Sequence, residues 1–225
     1  MERQSVRVDR IGAEQQPVVV VENFAADPEA LVAEAAALPF RPMGEFYPGL
    51  RAPAAPGYCR DVAPLLTSIV REVFGARDQM VFNRALWSVA ATPPGQLSLA
   101  QRIPHIDGVT EGMIAIVHYL ARDDFGGTSF YRHRSTGFET VDESRHRRYL
   151  DALKRDFATH NEPPAAYIEG DTPLFERTAG YDAIFNRAII YRSSLLHCAD
   201  LPNGTVLPAD PRTGRLTIAS FLTAT

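Results

Sequence analysis

Three residues in this chain have the types and spacing to hold a metal ion. His105 and Asp107 are separated by a single residue, and His197 lies far downstream. Two imidazoles and one carboxylate form the ligand set that grips iron(II) on one face and leaves the other face open for chemistry. The spacing matters as much as the residue types. On an extended strand, residues i and i+2 point to the same side, so His105 and Asp107 can chelate one ion from one segment. The third ligand must then come from another strand folded back beside the first. His197 follows the apolar run Ala183 to Ser193, which predicts such a strand. Binding through neutral imidazoles and an ionised carboxylate is expected to weaken in acid.

The elements that must position these groups can be read along the chain. Pro17 to Val21 is a β-branched run that predicts a first strand, ended by Asn23-Phe24. Asp27-Pro28-Glu29 opens a helix with Leu31, Ala35 and Leu38 on one face. The proline-rich stretch Phe40 to Tyr58 has little periodicity and predicts a long loop bordering a pocket. A second helix is predicted from Asp61, with Leu65, Leu66, Ile69, Val70, Val73 and Phe74 at helical spacing and Gly75 as its stop. From Met80 the pattern turns extended. Strands are predicted over Phe82 to Ala90, in the segment ending at the metal triplet, and over Ile114 to Leu120. Others follow over Thr128 to Tyr131 after Gly126-Gly127, over Ala183 to Ser193, and over Leu216 to Leu222; Thr92-Pro93-Pro94-Gly95 marks a turn. Glu139 to Tyr181 reads as an insertion, because Tyr149, Leu150, Leu153 and Phe157 have helical spacing and no strand alternation is visible.

Helices followed by at least six extended segments predict a mainly β (α+β) fold, an antiparallel sandwich or jelly roll with N-terminal helices and one helical insertion. A chain of 225 residues suits one large domain whose core needs no disulfide staples. The expected division is a helical part over 1–79 and a jelly-roll core over 80–225, with the insertion at about 138–182. With 45% hydrophobic and 22% charged residues and a net charge of -4, the composition is that of a soluble globular protein. There is no basic excess and no lysine-rich stretch interleaved with aromatics, so nucleic acid is not an expected partner. Cys59 and Cys198 form no Cys-x-x-Cys pair, which excludes a zinc ribbon or a dithiol redox motif. The first ten residues are charged, and no apolar stretch approaches the roughly 18 residues of a membrane span. A cytoplasmic protein with no membrane partner is expected, and no feature points to a particular oligomeric state.

Five short elements in order, His105-Ile106-Asp107, Val117-His118-Tyr119-Leu120, Gly126-Gly127-Thr128-Ser129-Phe130, Ile189-Ile190-Tyr191 before His197, and Arg215-Leu216-Thr217, give the chain a resemblance. It resembles the iron(II)- and 2-oxoglutarate-dependent oxygenases, most closely their prolyl-hydroxylase-like branch, over roughly residues 80 to 225. The resemblance implies a double-stranded β-helix in which His105, Asp107 and His197 bind iron(II) and form the catalytic centre. It implies that Arg215 pairs with the distal carboxylate of 2-oxoglutarate, that Thr217 adds a hydroxyl, and that the Tyr119 hydroxyl reaches the same carboxylate. A guanidinium suits that task because it meets a carboxylate through two parallel hydrogen bonds and stays charged. Dioxygen is the implied second cosubstrate. Halogenating relatives lack the carboxylate ligand, so Asp107 favours hydroxylation or a related oxidation. The interval from His197 to Arg215 exceeds the family's usual one, and Leu201 to Thr213 has the composition of a surface loop.

The expected activity is oxidation of a C–H bond in a small molecule, such as an amino acid or a natural-product intermediate. Hydroxylation of a peptide or protein side chain is the alternative within the class. A cupin-like metal isomerase without redox function is the alternative outside it, and Arg215-x-Thr217 argues against that reading. A scaffold without metal would tolerate replacement of the triad. Among the remaining candidates, His118 is expected to be structural and Tyr119, facing oppositely, to line the pocket. Tyr131-Arg132-His133-Arg134 is expected in a solvated turn, and Ser144 to Arg148 on the polar face of the inserted helix. Asn83 and Trp87 share a strand face and suit either pocket or core. Cys198 is expected to be a small buried hydrophobe.

Overall fold

The computed structural model describes residues 3–204 and 206–225. Its elements in chain order are β1 Ser5–Ile11, β2 Gln16–Glu22, α1 Pro28–Ala36, β3 Arg41–Pro42, β4 Gly49–Pro53, α2 Pro56–Phe74 and β5 Met80–Ala90. They continue with β6 Met113–Tyr119, β7 Thr128–His133, α3 Glu143–His160, β8 Phe175–Tyr181, β9 Ala188–Arg192, β10 His197–Ala199 and β11 Arg215–Ala224. The strands form an eight-stranded sheet, β1-β2-β9-β6-β11-β5-β4-β3, and a three-stranded sheet, β10-β7-β8, with every pairing antiparallel.

Both faces of the large sheet are covered, which is why β2, β6 and β9 read as near-continuous apolar runs. One face carries Val19, Val21, Trp87, Ile114, Ile116, Ile190 and Ile218 against Leu66, Ile69 and Val70 of α2. The opposite face carries Val18, Val20, Ala115, Tyr119, Ile189 and Phe221 against Phe130 of β7 and Tyr181 of β8. The two sheets therefore enclose a second core, as in a jelly-roll-like sandwich. Fully burying a Leu, Ile or Phe contributes about 1.5–3 kcal/mol, so these two layers dominate the fold's stability.

Local chemistry sets the helix ends. Asp27 caps α1 by accepting from the Ala30 N–H at 3.0 Å, with Pro28 in the first turn. α2 stops at Gly75, which adopts φ 79°, a left-handed conformation that glycine takes without steric cost.

The structure corrects the sequence reading at several points. Residues 1–79, expected to hold two helices and one strand, also contribute β1, β3 and β4 beside the expected β2. Strand β1 was missed because it is an edge strand whose Val6 and Val8 stay exposed, so its alternation marks no buried face. α2 starts at Pro56 rather than Asp61, its first turn hidden in a segment that composition marks as loop. The expected insertion also contains β8, a core strand of the small sheet. A bulge places Phe130 opposite Ala179 and Tyr131 opposite Arg177, which breaks the period-two signal on β8. In the Tyr131 to Arg134 cluster, only Arg134 lies in an exposed turn. Tyr131 and His133 are buried on β7, His133 Nε2 stands 3.0 Å from Asp156 Oδ2, and Arg132 pairs with Glu139 and Glu176. Trp87 is buried against the helices, and Asn83 at the other end of β5 donates to Thr223 Oγ1.

His118 is fully buried beneath α2, between the Tyr58 hydroxyl at 3.4 Å and Asn186 Oδ1 at 3.0 Å. Its neighbours are neutral, and burial lowers its pKa from 6.5 to about 4. The folded state thus holds this ring neutral while the unfolded chain takes up a proton below pH 6.5. Its contribution is fully present above that pH and is lost as pH falls through about 4, amounting to about 3 kcal/mol. Urea unfolding at a series of pH values is expected to show this acid loss in the wild type and a flatter profile in His118→Gln; equal slopes would refute the assignment.

Candidate metal centre

The residues before His105 form two short 3-10 turns, Pro94–Gln96 and Leu99–Gln101, and no regular strand. The triplet is nevertheless held as an extra strand on β10. His105 and His197 exchange backbone hydrogen bonds of 2.8 and 2.9 Å, and the Asp107 N–H donates to Ser193 O at 2.8 Å. This backbone pairing brings the two imidazoles to a ring separation of 4.5 Å.

Asp107 stands between the histidines, with Oδ1 3.8 Å from His105 Nε2 and Oδ2 3.3 Å from His197 Nε2. One ligand atom from each of the three residues lies within 4.8 Å of the others. Donors at roughly 2.0–2.2 Å from a shared divalent ion stand about 3 Å apart, so the set fits such an ion with small adjustment. His197 Nδ1 lies 2.8 Å from Leu195 O. A carbonyl only accepts, so Nδ1 carries the proton and the Nε2 lone pair faces Asp107. Tyr191 packs edge-on against the His197 ring at 4.8 Å. Burial, with the charge of neighbouring His197, lowers the pKa of His105 to about 4. Burial pushes the Asp107 carboxyl up, but His197, His105 and Arg51 pull harder, and its net pKa lies below the usual value.

The triad opens into a cavity of about 720 Å³ between the large sheet and α3. Arg215 lines it and is 3% exposed. Its Nε and Nη2 donate to the carbonyls of Gly126 and Gly127 at 3.1 and 2.7 Å. Those glycines are required there, because a Cβ on Gly126 or Gly127 would meet Asp200 O or Tyr181 O at 1.7 Å. No carboxylate pairs with Arg215 among the described residues. A buried cation without a counter-charge is costly unless a ligand supplies one.

Sheet register places the other candidates. Arg51, Ser88, Thr217 and Tyr119 form one row across β4, β5, β11 and β6. Thr217 lines the cavity beside Arg215, with Oγ1 3.4 Å from Ser88 O. Tyr119 lies deeper. Its ring is 5.8 Å from Arg215 Cζ, and its hydroxyl donates to Thr128 Oγ1 at 2.7 Å, so Thr128 and not Tyr119 meets the cavity. Tyr47 is the residue that the sequence did not single out. Its ring lies 4.0 Å from Arg51 Cζ, and its buried hydroxyl has no hydrogen-bond partner among the described residues. Burial raises its pKa, opposed by the charges of Arg215 and Arg51 and, more weakly, by the Ser88 and Thr217 hydroxyls. The only sequence signal was the proline-rich segment around it. Cys198 lines the cavity as a thiol, with burial pushing its pKa up to about 12.

From α3, Tyr149, Leu150, Leu153 and Phe157 form an apolar wall of the cavity, joined by His146. Asp142 caps this helix by accepting from the Arg145 N–H at 3.0 Å. No helix among the described residues is long and apolar enough to cross a membrane.

No curated protein matches the sequence. Several solved structures match the fold. HygX from Streptomyces hygroscopicus, with nickel and 2-oxoglutarate bound, aligns at a TM-score of 0.58 and 13% identity, covering 94% of this chain and 84% of that one. SnoK, described as a non-heme alpha ketoglutarate dependent carbocyclase from nogalamycin biosynthesis, aligns at 0.52 and 10% identity, covering 94% and 81%. SnoN, described as the corresponding epimerase, aligns at 0.50 and 13% identity, covering 94% and 79%. At such identities the likeness establishes the fold that these non-heme enzymes share. Residues 2–222 match the model of a family described as of unknown function, DUF6445, and the chain belongs to that family.

Proposed function

We propose that this protein is a non-haem iron(II)- and 2-oxoglutarate-dependent oxygenase that oxidises a small molecule, most simply at a C–H bond. The sandwich is accordingly read as a double-stranded β-helix. The observation that carries the proposal is the pairing, in one cavity, of an open-sided triad with a buried, unpaired arginine. His105, Asp107 and His197 are the iron ligands in this reading. Arg215 receives the distal carboxylate of 2-oxoglutarate, with Thr217 beside it and the free Tyr47 hydroxyl as a further donor. Tyr119 acts at one remove by holding Thr128.

When bound, iron(II), 2-oxoglutarate and dioxygen supply the oxidant, and 2-oxoglutarate leaves as succinate and carbon dioxide. The chain's share is orientation and exclusion of water. Leu195 O keeps His197 in the ligating tautomer, and the glycine carbonyls keep Arg215 pointed at its ligand. The fold neighbours include a carbocyclase and an epimerase by description, so the fold is compatible with more than one outcome of the oxidation.

Anaerobic addition of iron(II) and 2-oxoglutarate is expected to give the visible charge-transfer band of their chelate, and oxygen is expected to release succinate. Absence of both the band and succinate, across a panel of candidate substrates, would refute the reading.

A further inference from the structure

The cavity holds more positive charge than the proposed cosubstrates neutralise. Among the described residues its lining includes the guanidiniums of Arg51, Arg84 and Arg215 but one carboxylate, Asp107. In the oxygenase reading, Arg215 takes the distal carboxylate, while the divalent ion balances Asp107 and the carboxylate beside the keto group. Arg51 and Arg84 are left without a counter-charge, and neither forms an ion pair with any described carboxylate.

These two arginines are held in place on neighbouring strands. Arg51 on β4 donates from Nε to Ser88 Oγ at 3.2 Å and stacks on Tyr47. Arg84 on β5 lies opposite Phe221 of β11, with its Cζ 4.5 Å from that ring. They are close enough that the Arg84 charge lowers the proton affinity of Arg51, an effect secondary to burial. Like charges brought together at a cavity wall whose one described acid, Asp107, is given to the ion in this reading attract an anion.

The other wall is apolar. Phe46 and Leu150 flank the cavity, and at 66% and 41% exposure they are two of the few large hydrophobic side chains left open to solvent. We propose that the primary substrate is an anion with an apolar body, its carboxylate or phosphate seated between Arg51 and Arg84 and its body against α3. The inference rests on the oxygenase reading for giving Arg215 to 2-oxoglutarate.

Octanoate, octyl phosphate and 1-octanol serve as probes. Each is titrated calorimetrically into the protein loaded with nickel(II) and saturating 2-oxoglutarate, and into metal-free protein. Both anions are expected to bind about ten-fold more tightly than octanol in the loaded protein. Arg51→Gln is expected to weaken the anions about ten-fold and Arg84→Gln, more exposed, about three-fold, with octanol unaffected. Leu150→Gln is expected to weaken all three probes alike. Preference between carboxylate and phosphate identifies the head group. Octanol binding as tightly as the anions, or anion binding unchanged in both arginine variants, would overturn the inference. So would a loss of 2-oxoglutarate affinity in Arg51→Gln as large as in Arg215→Gln, since Arg51 would then belong to the cosubstrate. If metal and 2-oxoglutarate fail to bind while Arg51- and Arg84-dependent anion binding persists in metal-free protein, the anion site stands and the oxygenase reading alone falls.

Discussion

Asp107→Ala is expected to abolish iron(II) binding while leaving the fold in place. The two imidazoles would remain, but Asp107, the one carboxylate among the described residues that line the cavity, would be gone, and with it the negative charge that attracts a divalent ion. Losing even a partner that merely orients a ligand costs roughly 10–100-fold in metal affinity, so loss of the ligand itself should exceed about 100-fold. Stability without metal should change little, because the backbone bond from the Asp107 N–H to Ser193 O survives the substitution. Calorimetric iron(II) titration under anaerobic conditions, with a thermal melt of the metal-free variant, separates the two roles. Undiminished iron affinity in the folded variant would remove Asp107 from the ligand set.

The second large effect is expected in Arg215→Gln, which should lose 2-oxoglutarate and keep iron. Removing one side of a buried, hydrogen-bonded charge pair costs about 2–4 kcal/mol, or roughly 30- to 1000-fold in affinity. Glutamine can replace one carbonyl contact to Gly126 or Gly127 but carries no charge for the ligand. Arg215→Lys restores the charge without the planar fork and should fall between the two. Iron affinity within a few-fold of wild type, alongside weakened 2-oxoglutarate binding, distinguishes a clamp from a general disturbance of the cavity. Parallel loss of both would mean that Arg215 supports the site's shape and not the ligand.

Much of this arrangement was legible because it follows from period and spacing. The i, i+2 spacing of His105 and Asp107 is realised by an isolated bridge to His197, even though no regular strand surrounds it. The apolar runs of β2, β6 and β9 were readable as strands, their lack of alternation explained by a sheet covered on both faces, and His118, opposite in facing to Tyr119, proved to lie under α2. What was hidden has physical causes. An edge strand such as β1 buries no face, and the bulge on β8 shifts its side chains out of phase. Tyr47 sits on a loop, where direction is set by tertiary contacts that no local pattern encodes. Arg51 and Arg84 reach the cavity by strand register, which pairing fixes and sequence alone does not.

The position of α3 has a consequence for how such a protein diversifies. The chain leaves β7 at His133 and returns to β8 at Phe175, residues that are paired across the two strands. Most of the segment between them, α3 included, is therefore an excursion from that hairpin, tied back where Glu139 to Val141 bond the backbone of Ser194 to Leu196, and lengthening a loop costs only about 0.6 kcal/mol per doubling. The wall that α3 gives the cavity lies between two fixed anchor points, while His105, Asp107, His197 and Arg215 lie outside it. Exchanging residues 142–174, which leaves the Glu139 to Val141 pairing in place, should thus change the α3 wall of the cavity while sparing the His105, Asp107 and His197 cluster.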